Sequence, residues 1–201
     1  MATKTPLLPG YPTSEYMLIL SPDEHLQERI GKIKQAIIEK SGAKLPLGKS
    51  NVLLARWQAW DMQEDRLMRH LQILGMEQYP FQVHLENFSG FPSHTIYIPV
   101  TSREPIAKLV AKVRKHKRLM QSPGKDAYFI SEPALTLFKG LTAGQYEQTM
   151  PAFEARQFHA SFVADGMLLL KKKAGSQAFQ IVKRFAFEHL AVNARQGALF
   201  V

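Results

Sequence analysis

Imidazole is the side chain best suited to moving protons near neutral pH, and this chain carries seven histidines. Their spacing decides which can cooperate. His159-Ala160-Ser161-Phe162 sets an imidazole two residues from a hydroxyl, and in a strand such residues share a face. A three-residue match also arises readily by chance, so His159 reads as an ordinary strand histidine. His94-Thr95 lacks the intervening residue, so its two side chains point to opposite faces; His94 stays a candidate binding residue only. His84 falls in a strand-like stretch. His25, His70, His116 and His189 fall on helices or the tail and are expected to be solvated. No pair of histidines has the helical i, i+4 spacing beside a carboxylate, so no metal site is expected. The absence of cysteine removes thiolate catalysis, disulfides and cysteine-held zinc. No cofactor is expected.

The charges point to acidic partners. The formal net charge is +9, a balance that favours RNA, a nucleotide or a phosphorylated small molecule. Lys108, Lys112, Arg114, Lys115, Lys117 and Arg118 crowd one segment, and Lys171, Lys172 and Lys173 lie near Lys183 and Arg184. Such runs attract a phosphate backbone, although a solvated helix face and a charged hairpin tip are their commoner origin. Trp57 and Trp60 offer rings on which a base can stack, or simply pack beside a strand. No apolar run reaches membrane-spanning length and no apolar signal core opens the chain; a soluble cytoplasmic protein with no membrane partner is expected.

These residues need elements to hold them. Residues 1–13 read as an extended lead-in. Tyr16 to Leu20 reads as a buried strand, and Ser21-Pro22-Asp23-Glu24 as a helix start with Ser21 as its cap. Leu26, Ile30, Ile33 and Ile37 then recur at helical spacing up to Gly42. Asn51 to Trp57 is a strand, and Asp61 with Glu64 caps a helix striped by Leu67, Leu71 and Leu74. Strands at 81–87 and 94–100 flank the loop 89–92. A helix covers 102–120, the break 121–125 follows, and 134–138 is a strand. Thr142 with Gln145 forms a capping box. A long strand from 158 to 170, fit to bend or bulge, and another at 179–187 lead to the tail 188–201, whose Ala198-Leu199-Phe200-Val201 is apolar.

The order repeats. Residues 51–100 read strand, capped helix, strand, strand, and residues 134–187 read the same. Each half presents a small sheet with helices on one face and needs the other half to complete its burial. A pseudo-two-fold relation between the halves puts Asn51 and Ala134, which open the matching strands, in equivalent places beside a shared cleft.

From about residue 14 to 187 this arrangement resembles the two-histidine phosphoesterase superfamily, in its branch of 2′-5′ RNA ligases and RNA 2′,3′-cyclic phosphodiesterases. Ser50-Asn51-Val52-Leu53-Leu54-Ala55-Arg56-Trp57 sits where that family has Pro-His-hydrophobic-Thr-Leu-Ala and an aromatic stretch. Pro133-Ala134-Leu135-Thr136-Leu137-Phe138 sits at the second such motif. Phe81-Gln82-Val83-His84-Leu85, Phe91-Pro92, Thr95 to Val100 and Phe179 to Phe185 resemble its paired and closing strands.

The resemblance implies an α+β fold of two pseudo-symmetric lobes, residues 14–187 forming a single bilobal domain. Each lobe is a small, mostly antiparallel sheet with helices on its outer face, and the sheets face across a central cleft. It also implies a reaction: one imidazole activates water against a cyclic phosphate while the other protonates the leaving sugar oxygen, with hydroxyls two residues on steadying the phosphate. Here the first motif offers Asn51 and Leu53, the second Ala134 and Thr136. Asn cannot titrate and Ala has no functional group. The expectation is therefore a degenerate relative that binds a phosphorylated ligand through Asn51 and Thr136, with Trp57 and His94 nearby, without efficient hydrolysis. An active enzyme using His94 or His159, and a non-enzymatic interaction domain using the basic helix or apolar tail, are the alternatives.

Overall fold

The computed structural model describes residues 11–91, 94–122 and 125–190. Most of the lead-in, Pro92 and the apolar end of the tail lie outside them. Ten strands and four α-helices are described: β1 (Thr13–Leu20), α1 (Glu24–Ser41), β2 (Asn51–Trp60), α2 (Glu64–Glu77), β3 (Phe81–Glu86), β4 (Ser89–Phe91), β5 (Thr95–Pro99), α3 (Arg103–Arg114), β6 (Tyr128–Phe129), β7 (Ala134–Lys139), α4 (Ala143–Glu154), β8 (His159–Ala164), β9 (Gly166–Lys173) and β10 (Gln180–Ala186).

Local chemistry explains most boundaries. The cap of α1 is Asp23, whose carboxylate accepts from the Leu26 N–H at 2.9 Å; a carboxylate is a better acceptor here than the Ser21 hydroxyl, and it displaces the expected start by two residues. Gly42 closes α1 in the left-handed conformation (φ 69°), which a residue without Cβ adopts freely. Asp61 and Glu64 do not cap α2, which starts after a 310 turn over Asp61–Gln63. The Thr142–Gln145 capping box of α4 forms in both directions.

The expected α+β class holds, and the sheets are antiparallel throughout. One large sheet runs β10-β9-β1-β2-β7-β5-β4, with β6 added beside β2; β3 and β8 form a separate pair. The long strand expected over 158–170 breaks at Asp165, so β8 serves the small sheet and β9 the large one. The halves thus exchange strands: β4 and β5 lie with β7, while β9 and β10 lie with β1 and β2. Their opening strands, β2 and β7, meet edge to edge in one ladder.

One core joins everything. Leu26, Ile30 and Ile37 of α1, Leu67 and Leu71 of α2, Ile106 and Val113 of α3 and Phe153 of α4 pack with Leu18, Val52, Leu54, Leu135, Ile98 and Phe185 of the large sheet. All four helices therefore cover the same face of that sheet, and among the described residues no helix covers its other face. Close approach limits what fits: a Cβ on Gly75 of α2 would meet the Ala186 carbonyl oxygen at 2.8 Å.

Candidate phosphate-binding face at the junction of the halves

Register fixes the geometry of the junction. Asn51 pairs with Thr136 and Val52 with Leu135. A local two-fold through the Val52–Leu135 pair relates Asn51 to Ala134 and Leu53 to Thr136, because antiparallel partners exchange under such an axis. Asn51, Leu53, Ala134 and Thr136 are half-buried, while Val52, Leu54, Leu135 and Leu137 are buried. The alternation puts the first four on the open face and the second four into the core. The two sequence motifs are thus brought together as a four-cornered patch.

Neighbouring strands extend this patch. Tyr97 stands opposite Thr136 and Pro99 opposite Ala134. Ser89 stands opposite Tyr97, and their hydroxyls are 3.4 Å apart. On the other side Ile19 faces Leu53 and Met17 faces Arg56. The Arg56 guanidinium bonds Glu15, and Lys172 Nζ reaches the same carboxylate at 2.8 Å. Burial works to raise the Glu15 pKa, but the hydrogen bonds and charges of Lys172 and Arg56 prevail and hold it below the usual carboxylate range. Tyr128 lies opposite Arg56 and is 55% exposed, its ring available to a flat ligand. The open face therefore carries amide, hydroxyl, guanidinium and phenol groups around an apolar floor.

The residue before Asn51 is held from behind. Gln27 of α1 donates to the Ser50 carbonyl at 2.6 Å and accepts from the Ser50 N–H at 3.1 Å. Lys34 Nζ donates to the Gly48 carbonyl at 2.7 Å and sits 4.7 Å above the Phe138 ring. Burial pushes its pKa down to about 8.

The remaining expected residues lie elsewhere. Trp57 is 3% exposed and stacks on Tyr16 at 5.6 Å, on the helix-covered face. A register shift between Leu18 and Ile19 inserts one extra residue in β2. Beyond it, alternation inverts, so Arg56 rather than Trp57 takes the open side. His94 is exposed at the far end of β5, beside Phe91. Lys171 is half-buried and ion-paired to Asp61 and Glu64, Lys108 to Glu104, and Lys112 bonds Gln78. Lys115, Arg118 and Lys173 are exposed. Sequence reasoning missed Arg56, Tyr97, Ser89 and Tyr128. Arg56 had a signal, as a charge within an apolar strand; Tyr97 and Ser89 depend on strand order.

Among the described residues no group of three or more histidines and carboxylates lies together to hold a metal, and no helix is long and apolar enough to cross a membrane.

No curated protein sequence matches the chain. Solved structures do. The crystal structure of Escherichia coli LigT complexed with phosphate matches with a TM-score of 0.61 at 12% identity, covering 88% of this chain and 98% of that one. Escherichia coli LigT complexed with NADP+ gives 0.59 at 14% identity, over 88% and 99%. A crystal structure described as a phosphoesterase gives 0.58 at 15% identity, over 88% and 98%. At such identities the likeness shows a common fold. A family model independently matches residues 22–176, which span both motif strands and all four helices, and by that match the chain belongs to the 2′-5′ RNA ligase superfamily.

Proposed function

We propose that this protein binds a nucleotide, an RNA end or another phosphorylated small molecule on the open face over the β2–β7 junction, and that it does so without efficient hydrolysis. The observation that carries this reading is the identity of the four dyad-related corners. They are Asn51, Leu53, Ala134 and Thr136. Asn51 and Thr136 donate hydrogen bonds to phosphate oxygens; none of the four takes up or releases a proton near neutral pH. A cyclic phosphate bound there meets no base for water and no acid for the leaving oxygen. Each missing group is worth about 10²–10⁴-fold in rate.

Supporting features surround the patch. Arg56 supplies a guanidinium able to grip two phosphate oxygens, and the exposed Tyr128 ring beside it suits a base. The Escherichia coli LigT structures hold phosphate, NADP+, 3′-AMP and ATP, which defines the class of ligand to try. The test is isothermal titration with 2′,3′-cyclic nucleotides, mononucleotides and short RNAs, repeated on Thr136→Val and Arg56→Ala. Binding that weakens in both variants, with no turnover of the cyclic nucleotides, is expected. Absence of heat with every phosphorylated ligand overturns the binding reading. Turnover lost with Thr136→Val overturns the claim that hydrolysis is gone.

A further inference from the structure

The same internal symmetry acts a second time, in the small sheet. β3 and β8 are equivalent strands of the two halves, and they pair with each other. His84 stands opposite Ser161, Leu85 opposite Ala160, and Glu86 opposite His159. The local two-fold through the Leu85–Ala160 pair relates His84 to His159 and Glu86 to Ser161. The chain therefore presents His84-x-Glu86 and His159-x-Ser161 as symmetry mates on antiparallel neighbours. That is the arrangement of the β2–β7 corners, but with an imidazole in both leading places.

We propose that this face of β3–β8 is a separate phosphate-binding site, in which His84 and His159 hold one phosphate group from opposite sides. Three observations carry it. All four corner side chains are exposed on one face, while Val83, Leu85, Phe162 and Ala164 turn into the core. Asn87 N–H donates to the Phe158 carbonyl at 2.7 Å. By alternation this makes Glu86–His159 and His84–Ser161 the closer, non-hydrogen-bonded pairs. Diagonal corners of such a rectangle lie roughly 7–8 Å apart, somewhat less at Cβ, a gap that one phosphate bridges with a hydrogen bond to each ring. The corners, with Thr101, line a depression of about 490 Å³.

The surroundings are built rather than incidental. The backbone of His84 is clamped, its N–H donating to Ser102 Oγ at 2.9 Å and its carbonyl accepting from Thr101 N–H at 3.0 Å. Ser161 and Thr101 bring hydroxyl donors. Arg29 lies over the Phe158 ring and donates to the His159 carbonyl at 3.3 Å, bringing a positive charge to the same edge. Glu86, directly beside His159, works against an anion, while Arg29 offsets its charge.

This site is independent of the β2–β7 face, and the experiment keeps the two apart. Histidine ring resonances of the full chain are followed by NMR during titration with inorganic phosphate, against a chloride control of equal ionic strength. The expected result is that two of the seven imidazoles move together and saturate, and that His84→Gln and His159→Gln each remove one of them and weaken the other's response about tenfold. Arg56→Ala and Thr136→Val leave both shifts intact. Rings that do not move, or that move equally in chloride, or shifts that survive both glutamine variants, overturn the proposal. None of those outcomes bears on binding at the β2–β7 face.

Discussion

Asn51 on β2 stands directly opposite Thr136 on β7. That single pairing fixes the register of the opening strands of the two halves, and on the function proposed above it sets the four corners around one phosphate. The proposed absence of hydrolysis can therefore be tested by changing the corners. The triple substitution Asn51→His, Leu53→Thr and Ala134→His places an imidazole and a hydroxyl on each strand. All three positions are half-exposed on the open face, so folding should tolerate them. Turnover of 2′,3′-cyclic nucleotides at least about 10²-fold above the unsubstituted protein is expected. A triple variant that folds, binds cyclic nucleotide and remains inert would show that the identity of the corner residues does not decide hydrolysis.

Much of this was legible in the residues, for reasons that can be named. Helical stripes such as Leu67, Leu71 and Leu74 identify a buried face because the period is local. The Thr142–Gln145 box is legible because both partners lie within one turn. The two motif strands could be matched because each carries its own short pattern. What was not legible depended on one residue more or less, or on pairing at a distance. Trp57 lies near the first motif, which makes its ring a candidate for stacking on a ligand, but one inserted residue in β2 turns it to Tyr16 instead. Asp61 and Glu64 look like caps, yet their partners are Tyr16 and Lys171, far away in sequence. His84 and His159 become symmetry mates only once β3 is known to pair with β8.

Lys34 gives a pH dependence whose sign is fixed. Burial lowers its pKa from 10.5 to about 8 in the folded chain, and among the described residues its ammonium bonds the Gly48 carbonyl and no carboxylate. Below about pH 8 both the folded and unfolded chains carry the proton, and the folded state bears the cost of a buried charge. Between about pH 8 and 10.5 the folded chain sheds the proton first, so stability from this residue rises with pH. Lys34→Met removes the cost and should stabilise by about 1–2 kcal/mol at pH 7. In urea unfolding the advantage of the variant should shrink as pH approaches 10. An advantage that is independent of pH would place its origin in packing.

His116 has the same sense at lower pH. Its ring stacks on His70 of α2 at 4.7 Å. Burial first, then the charge interactions with His70 and Lys115, pulls its pKa below the ordinary imidazole value. The folded state prefers the neutral ring, so stability is complete above the unfolded imidazole range near 6.5 and is lost as pH falls below it. His116→Phe keeps a stacking ring and removes the titration. The gap between urea midpoints at pH 7.5 and pH 5.5 should narrow in that variant; an unchanged gap would assign the acid sensitivity to other groups.

Lys171 separates structural charge from ligand-binding charge. Its Nζ lies 2.6 Å from Glu64 Oε2 and 3.1 Å from Asp61 Oδ2, and 5.5 Å from the centroid of the Tyr16 ring. The Tyr16 hydroxyl donates to Glu64 at 2.7 Å and Asp61 at 3.2 Å. Burial, then the hydrogen bond and charge of Glu64 and those of Asp61, raise the phenol pKa and keep that donor protonated. This cluster ties β1, β9 and the start of α2 together on the covered face. Lys171→Met strands two adjacent carboxylates and should cost about 2–3 kcal/mol, part of which Glu64→Gln should restore in the double variant, the signature of direct coupling. Affinity for phosphorylated ligands should not change, because Lys171 has no part in the open face. Lys172 makes the contrast one residue away: its partner Glu15 also holds Arg56 on that face, so Lys172→Met should alter ligand affinity while leaving the Tyr16 cluster intact. The two neighbouring lysines are thus expected to answer oppositely to unfolding and to titration, as alternation along β9 requires.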